Sequence, residues 1–397
     1  MNYIFISPNF PHTYWQFCAC LRGNGVNVLG IGDASYDELE APLKAALTEY
    51  YRVGSLEDYD QVYRAVAFFA FKYGKIDWIE SMNEYWLEQD ARLRTDFNVS
   101  TGIQSDRIGC IKEKYQMKRI YLQAGIPTAR QSVVTTREAG QAFVAEVGYP
   151  VIVKPDNGVG ALNTWKLEND RDLAAFYDNL PAAPYVMEEF IEGIICSYDA
   201  ILDSRCEPLF ENTAFFPPIM DVVNQNTDLR YYALPELPAA LRDMGRKTVK
   251  AFGVARRFVH LEFFRLTKAR PGIGEVGDFA ALEVNMRPAG GYTPDMMNFA
   301  HSANVYQIYA DMVAFDENRQ PVNPQQYYCV YYGRKDGRAY RHSHEDVMAR
   351  YGACMMMQEQ MPRINWPQMG RYMYTVRLNT LEQAEEFIRY MQEEVTQ

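Results

Sequence analysis

Hydrophobic positions in the first hundred residues recur in two alternating rhythms. Residues 3–7 and 26–31 are apolar runs of strand length, and residues 13–22 between them read as a helix stopped by Gly23 and Gly25. Residues 60–72 place Val62, Ala65, Val66 and Phe69 at the i, i+3, i+4, i+7 spacing of a helix buried along one side. Such alternation predicts parallel strands joined by crossover helices. The first turn, Ser7-Pro8-Asn9-Phe10-Pro11, lacks the G-x-G-x-x-G pattern of a dinucleotide loop.

The rhythm then changes. Residues 112–124 predict a helix with Gly125 at its C-terminal cap and Pro127 just beyond. Thr135 followed by Glu138 is a capping-box signal for a helix running to about residue 146. Gly148-Tyr149-Pro150 ends it, and Val151-Ile152-Val153-Lys154 is a strand entering a loop with Gly158 and Gly160. A strand over 163–167, a helix over 171–180 and a strand over 185–190 complete a flap-like β-loop-β-α-β unit. Residues 197–315 read as strand-rich. From residue 327, Tyr-rich strands flank Asp336-Gly337, a favoured hairpin turn, and the chain ends in a helix carrying Ala384, Phe387, Ile388 and Met391. The expected division is an N-terminal α/β domain (1–105), a helical segment and flap (106–195), a strand-rich core (196–325) and a small C-terminal α+β domain (326–397).

Composition narrows the class without naming a function. A chain of 397 residues calls for several domains. A net charge of −11 argues against wholesale binding to nucleic acid or a membrane surface, although a few local cations suffice for an anionic ligand. No apolar run approaches the roughly 20 residues that span a bilayer. The N-terminus shows no basic leader, and the seven cysteines form no C-x-x-C pair, so reduced thiols in a cytoplasm are expected.

Candidate chemistry concentrates in a few segments. Alternate residues of a strand share a face, so Glu283, Asn285 and Arg287 point one way and Leu282, Val284 and Met286 the other. Two oxygen donors and a guanidinium suit magnesium plus phosphate. Taken alone, they suit a solvated strand face equally. In Phe258-Val259-His260-Leu261-Glu262-Phe263-Phe264, Glu262 sits among large apolar neighbours, where an ionised carboxylate needs a metal or a cation. His260-x-Glu262 lacks a third zinc ligand, and His260 reads as a core histidine. Lys154 ends an apolar strand before Asp156-Asn157-Gly158-Val159-Gly160, a glycine loop able to wrap phosphates but not a Walker A sequence. Lys114 alone reads as a solvent-exposed helix lysine. Residues 185–193, with Glu188, Glu189, Phe190 and Glu192, could present backbone groups to an adenine edge, or could be a strand end made soluble by acids. Cys18-Ala19-Cys20 reads as helix packing, His342-Ser343-His344 as a polar turn, Cys354-Met355-Met356-Met357 as a buried or interface strand, and Arg256-Arg257 as a surface salt-bridge pair, with a substrate-carboxylate binder among the two as the alternative.

In this order the segments resemble the ATP-grasp superfamily. Lys112-Glu113-Lys114-Tyr115-Gln116-Met117-Lys118 followed by Ala124-Gly125-Ile126-Pro127 is similar to its first-lysine helix, with Lys114 as the matching lysine. Residues 149–155 resemble the second-lysine strand, 157–161 the phosphate loop, and 187–193 the adenine hinge. Residues 260–263 and 282–291 resemble the two metal-bearing strands. The likeness runs from about residue 106 to 315. It looks closest to carboxylate–amine ligases such as the L-amino-acid ligases, and more distant from biotin carboxylase and D-alanine–D-alanine ligase.

The resemblance implies an ATP-grasp fold with an N-terminal parallel α/β domain and a C-terminal α+β domain. It implies ATP at Lys114, Lys154, Gly158, Gly160, Glu188, Glu189, Phe190 and Glu192, and one or two Mg2+ ions (Mn2+ as substitute) at Glu262, Glu283 and Asn285. Arg287 and Lys154 are the implied catalytic residues, and small-molecule carboxylates and amines the implied substrates. Relatives are often dimers, which leaves a homodimer open. One departure is plain: in Glu192-Gly193-Ile194-Ile195-Cys196, isoleucines stand where relatives carry a ribose-binding glutamate. Carboxylase or kinase chemistry on the same fold, and nucleotide binding without turnover, are the alternative readings.

Overall fold

The computed structural model describes residues 1–158, 163–217, 222, 227–321 and 323–395. The alternating N-terminal pattern folds as its rhythm predicts. Strands β1 (Asn2–Ile6), β2 (Asn27–Gly32), β3 (Glu49–Arg52) and β4 (Trp78–Glu80) form a parallel sheet in the order β3-β2-β1-β4. The helix Tyr59–Tyr73, capped by the Asp58 side chain, buries Val62, Ala65, Val66 and Phe69 against it.

The flap is a separate antiparallel sheet. It contains β5 (Gln131–Val133), β6 (Val151–Pro155), β7 (Trp165–Leu167) and β8 (Tyr185–Glu189), ordered β5-β8-β6-β7. Its first helix, Arg137–Val147, is capped by Thr136, whose hydroxyl accepts the Ala139 N–H at 3.2 Å. The expected Thr135–Glu138 capping box is therefore displaced by one residue. Glu138 still lies in the first turn, where its charge complements the helix dipole.

Nine strands build the central sheet: β9 (Gly193–Leu202), β10 (Pro208–Asn212), β11 (Ala214–Phe216), β12 (Leu229–Ala233), β13 (Arg257–Leu266), β14 (Phe279–Asn285), β15 (Tyr328–Arg334), β16 (Met355–Gln360) and β17 (Tyr372–Leu378). Its path runs β14-β13-β9-β11-β12-β15-β17-β16, with β10 beside β9. The Asp336-Gly337 turn forms, with Gly337 at φ +81°, but makes no hairpin. Both edges of β15 are already occupied by β12 and β17, and Tyr340 bridges Glu394 instead.

The stretch 197–315 also holds the helices Ala239–Phe252, Thr293–His301 and Val305–Phe315, which the strand-rich expectation passed over. The first of them buries Leu241, Gly245, Thr248, Val249 and Phe252. Gly245 is required there, because a Cβ would lie 2.3 Å from Cγ of Tyr198.

A buried ion cluster ties the N-terminal sheet to the central one. Glu80, at the end of β4, forms an ion pair with Arg94 Nη2 at 2.8 Å and accepts from Arg257 Nη1 at 2.9 Å, all three side chains being at most 4% exposed. Arg257 is thus a buried partner rather than the surface residue its Arg-Arg context suggested, while Arg256 is half exposed near Asp316. Among the described residues, no helix is long and apolar enough to cross a membrane.

Candidate functional site

Antiparallel register brings the two predicted metal carboxylates together. In the β13–β14 ladder, Glu262 pairs directly with Glu283 and His260 with Asn285. The register slips at the next step, where Phe263 meets Ala281 and Leu282 is bulged out. The bulge explains why Leu282 is only partly buried, whereas Val284 and Met286 are in the core.

The two carboxylates sit in unequal environments. Burial pushes the Glu283 carboxyl up, and Glu262 and Glu84 add to that against the attraction of Lys114, 3.3 Å away. Burial also opposes ionisation of Glu262, but His260, 3.3 Å from its Oε1, and Arg287 reverse the effect and hold it below the usual carboxylate range. His260 is itself fixed from behind. Burial lowers its imidazole, but Asp199, 2.6 Å from Nδ1, and Glu262 raise it to about 9. Asp199 in turn accepts from Ser197 at 2.7 Å and Asn212 at 2.9 Å.

The predicted lysines converge on the same cleft from the opposite side. Helix Lys114–Gln123 buries Lys114, Met117, Lys118 and Tyr121, so two lysines occupy its inward stripe. Lys154, at the end of β6, is 2.7 Å from Glu188 Oε2. Lys118 and Gln131 hold Glu188 Oε1 at 3.0 and 2.8 Å. Burial would raise the Glu188 carboxyl, yet Lys118 and Lys154 together bring it down to about 2. The phosphate-loop segment begins on the same helix: Lys114 N–H donates to Asp156 O at 2.9 Å, Tyr115 N–H to Asp156 Oδ1 at 2.8 Å, and Lys114 Nζ lies 3.5 Å from Gly158 O. Gly160 lies outside the described residues.

The hinge residues divide by face. Glu189 points away from Glu188 and is clasped by Arg130 Nη2 at 2.8 Å and Arg270 Nε at 2.9 Å. Phe190 lies under Lys166, whose Nζ is 4.7 Å from the ring centre. Glu192 is half exposed and pairs with Lys268 at 2.9 Å.

Arg287 closes the cleft against the N-terminal domain, with Nη2 2.5 Å from Glu84 Oε2 and Nη1 donating to Pro288 O at 2.8 Å. Lys112 Nζ lies 3.4 Å from the other Glu84 oxygen. Burial opposes ionisation of Glu84, but Arg287, Lys112 and Lys114 outweigh it and keep its carboxyl low. Glu84 and Lys118 join the site without a motif that marks them in the sequence. Lys118 was detectable from its place in the stripe with Lys114, Met117 and Tyr121. Glu84 follows the carboxyl end of parallel strand β4, where open α/β sheets place ligand-facing groups.

The donor set fits a hard cation. Glu262, Glu283 and the Asn285 amide supply oxygens, and a divalent charge would relieve the repulsion that raises Glu283. Among the described residues no three His, Cys, Asp or Glu side chains gather as a metal cluster, so such an ion would complete its shell from phosphate or water. Two cavities of about 460 and 400 Å3, sharing Ser100, Thr101 and Arg256, are lined by none of these groups.

Comparison with known proteins agrees with the geometry. Residues 111–221 match the family model described as ATP-grasp domain. A D-alanine–D-alanine ligase of Acinetobacter baylyi is 27% identical over 202 residues, 47% of this chain and 60% of that protein. Another, from Streptomyces griseus, is 25% identical over 215 residues, 50% of this chain and 53% of that protein, so the chain spans little more than half the length of these relatives. Among solved structures, an L-amino acid ligase from Bacillus licheniformis superposes with a TM-score of 0.72 at 15% identity, covering 100% of this chain and 98% of that one. The biotin carboxylase domain of Hydrogenobacter thermophilus 2-oxoglutarate carboxylase, solved with MgADP, superposes with a TM-score of 0.69 at 15% identity, covering 98% and 88%. Residues 111–221 thus match an ATP-grasp domain, and the chain as a whole shares its fold with the L-amino acid ligase and the biotin carboxylase domain.

Proposed function

We propose that this protein is an ATP- and magnesium-dependent ligase that activates a carboxylate as an acyl phosphate and joins it to an amine. The observation that carries the reading is the Glu262–Glu283 pair, set face to face across β13–β14 with Lys114 against it. The ligases among the relatives and neighbours support the reaction class, and the neighbour solved with MgADP supports the nucleotide.

Lys114 and Lys154 hold the α- and β-phosphates, and the loop containing Gly158 and Gly160 closes over the γ-phosphate. The end of β8, from Glu188 through Phe190, presents its backbone to the adenine, with Glu189 fixing the strand from behind and Glu192 reaching the ribose. Glu262, Glu283 and Asn285 hold one or two Mg2+ ions, with Mn2+ as a substitute. Bound metal neutralises phosphate charge, the main task in phosphoryl transfer.

The substrate carboxylate attacks the γ-phosphorus in line, the β–γ bridging P–O bond breaks, and ADP leaves. Arg287 steadies the transferring phosphoryl group, while Gly290 and Gly291 amides face the carbonyl oxygen. The amine then attacks the carbonyl carbon, its nitrogen loses a proton, and the C–O bond to phosphate breaks. No side-chain nucleophile is needed. The flap keeps water from the acyl phosphate.

The test is ADP and phosphate release from Mg-ATP with pools of carboxylic acids and amines. Turnover requiring both an acid and an amine, with an amide product, is the expected result. Amine-independent turnover would point to a carboxylase or kinase. Mg-ATP binding without turnover in any pool would favour a non-catalytic nucleotide-binding protein.

A further inference from the structure

Lys118 lies one helical turn beyond Lys114 on the same buried stripe, and the reaction outlined above gives it no task. It is 3% exposed. Its Nζ meets Glu188 Oε1 at 3.0 Å and donates to Thr128 Oγ1 at 2.9 Å, and Thr128 donates onward to Ala281 O at 2.8 Å, on strand β14 itself. Lys118 is thus anchored at two points, Glu188 and Thr128, the second tied in turn to Ala281. Lys154 holds the other oxygen of the same carboxylate.

The arrangement sets up a competition. A buried carboxylate with one ammonium partner keeps that partner, because separation leaves both charges unpaired in a poorly solvated site. A carboxylate already balanced by a second, immobile ammonium holds the first less tightly. We propose that Lys118 is a positioning residue of the nucleotide site: it carries the Glu188 charge permanently, so that Lys154 can leave Glu188 for the phosphates. The assignment rests on the ATP-binding reading above and adds to it the residue that frees the phosphate-binding lysine. Thr128 holds Lys118 in register and prevents it from following Lys154.

Calorimetric titration with Mg-ATP and with adenosine tests this. Lys118→Met leaves Lys154 as the main counter-charge of Glu188. It is expected to weaken Mg-ATP binding about 30-fold while changing adenosine affinity less than threefold, since adenosine carries no phosphate. Lys118→Arg restores most of the ATP affinity. In Lys118→Met/Glu188→Gln the competing charge is gone, and ATP affinity relative to adenosine recovers. Equal weakening of both ligands would reduce Lys118 to a structural residue and overturn the proposal, as would unchanged ATP binding. Should Lys118→Met fail to fold, Thr128→Val keeps every charge and must show the same ATP-selective loss in smaller measure; without it the proposal fails. Wild-type protein that binds no Mg-ATP would overturn the nucleotide reading itself, an outcome distinct from a wild type that binds and a variant that is unaffected.

Discussion

Two pairs of glutamates occupy neighbouring parts of the cleft and are treated in opposite ways. On β8, Glu188 is satisfied by Lys118, Lys154 and Gln131, and Glu189 by Arg130 and Arg270. Across β13–β14, Glu262 and Glu283 face each other, with His260 and Arg287 against Glu262 and Lys114 against Glu283. Burial penalises all four, yet the protein supplies enough positive charge to reverse the penalty at Glu188, Glu189 and Glu262 and not at Glu283. Saturated carboxylates are scaffold. The uncompensated carboxylate is Glu283, and the proposed cation from outside the chain would complete the balance there.

The sharpest way to break this contrast is Glu283→Gln. Turnover, measured as ADP release, should fall at least about 100-fold, a transition-state loss near 3 kcal/mol, while the fold stays intact. Near-normal turnover would remove Glu283 from the metal site. The mirror experiment is Glu189→Ala, which strands Arg130 and Arg270 on the scaffold side. Because both arginines reach solvent, the expected cost is about 2 kcal/mol in chemical denaturation.

A pH series separates the two kinds of carboxylate. Glu283 is raised in the folded protein, so its ionisation costs stability. The cost is absent below the ordinary carboxylate range and complete above the raised value. Metal-free wild type and Glu283→Gln should therefore melt together near pH 4, with the variant becoming the more stable as pH rises toward 8. Scanning calorimetry that shows the wild type gaining on the variant would reverse the assignment. The smallest effect is expected at Glu192→Gln, whose pair with Lys268 is exposed on both sides. Stability should change by less than about 0.5 kcal/mol, and ATP affinity by a few-fold at most in titration.

Legibility in the sequence followed locality. Strand alternation alone put Glu283 with Asn285 and His260 with Glu262, because a period of two leaves no freedom in which face a residue takes. That Glu262 would stand opposite Glu283 depended on a register with a bulge at Leu282, and no periodic signal carries that. Lys118 was visible in the helical stripe, but a lysine at an inward position is ordinarily assigned to solvent until its partners are known. Glu84 follows β4 of the N-terminal sheet, 203 residues from Arg287 in the chain, and only the folded arrangement brings the two together. Gly245 hid a helix for a related reason: its role is defined by the Tyr198 ring on β9, not by its own neighbours in sequence.

The grip of Arg94 and Arg257 on Glu80 has a mechanical consequence. Contacts between domains that are mostly hydrated can slide, but a dry, forked ionic clasp has one seating and resists partial withdrawal. The N-terminal sheet and the central sheet therefore behave as one anvil. Among the described residues, the flap sheet is tied to that anvil by the bridge between Thr128 and Ala281 just before β5 and by charged clasps such as Arg270–Glu189. Opening the cleft for substrate would then fall to β5–β8, with β13, β14 and Glu84 held by the anvil.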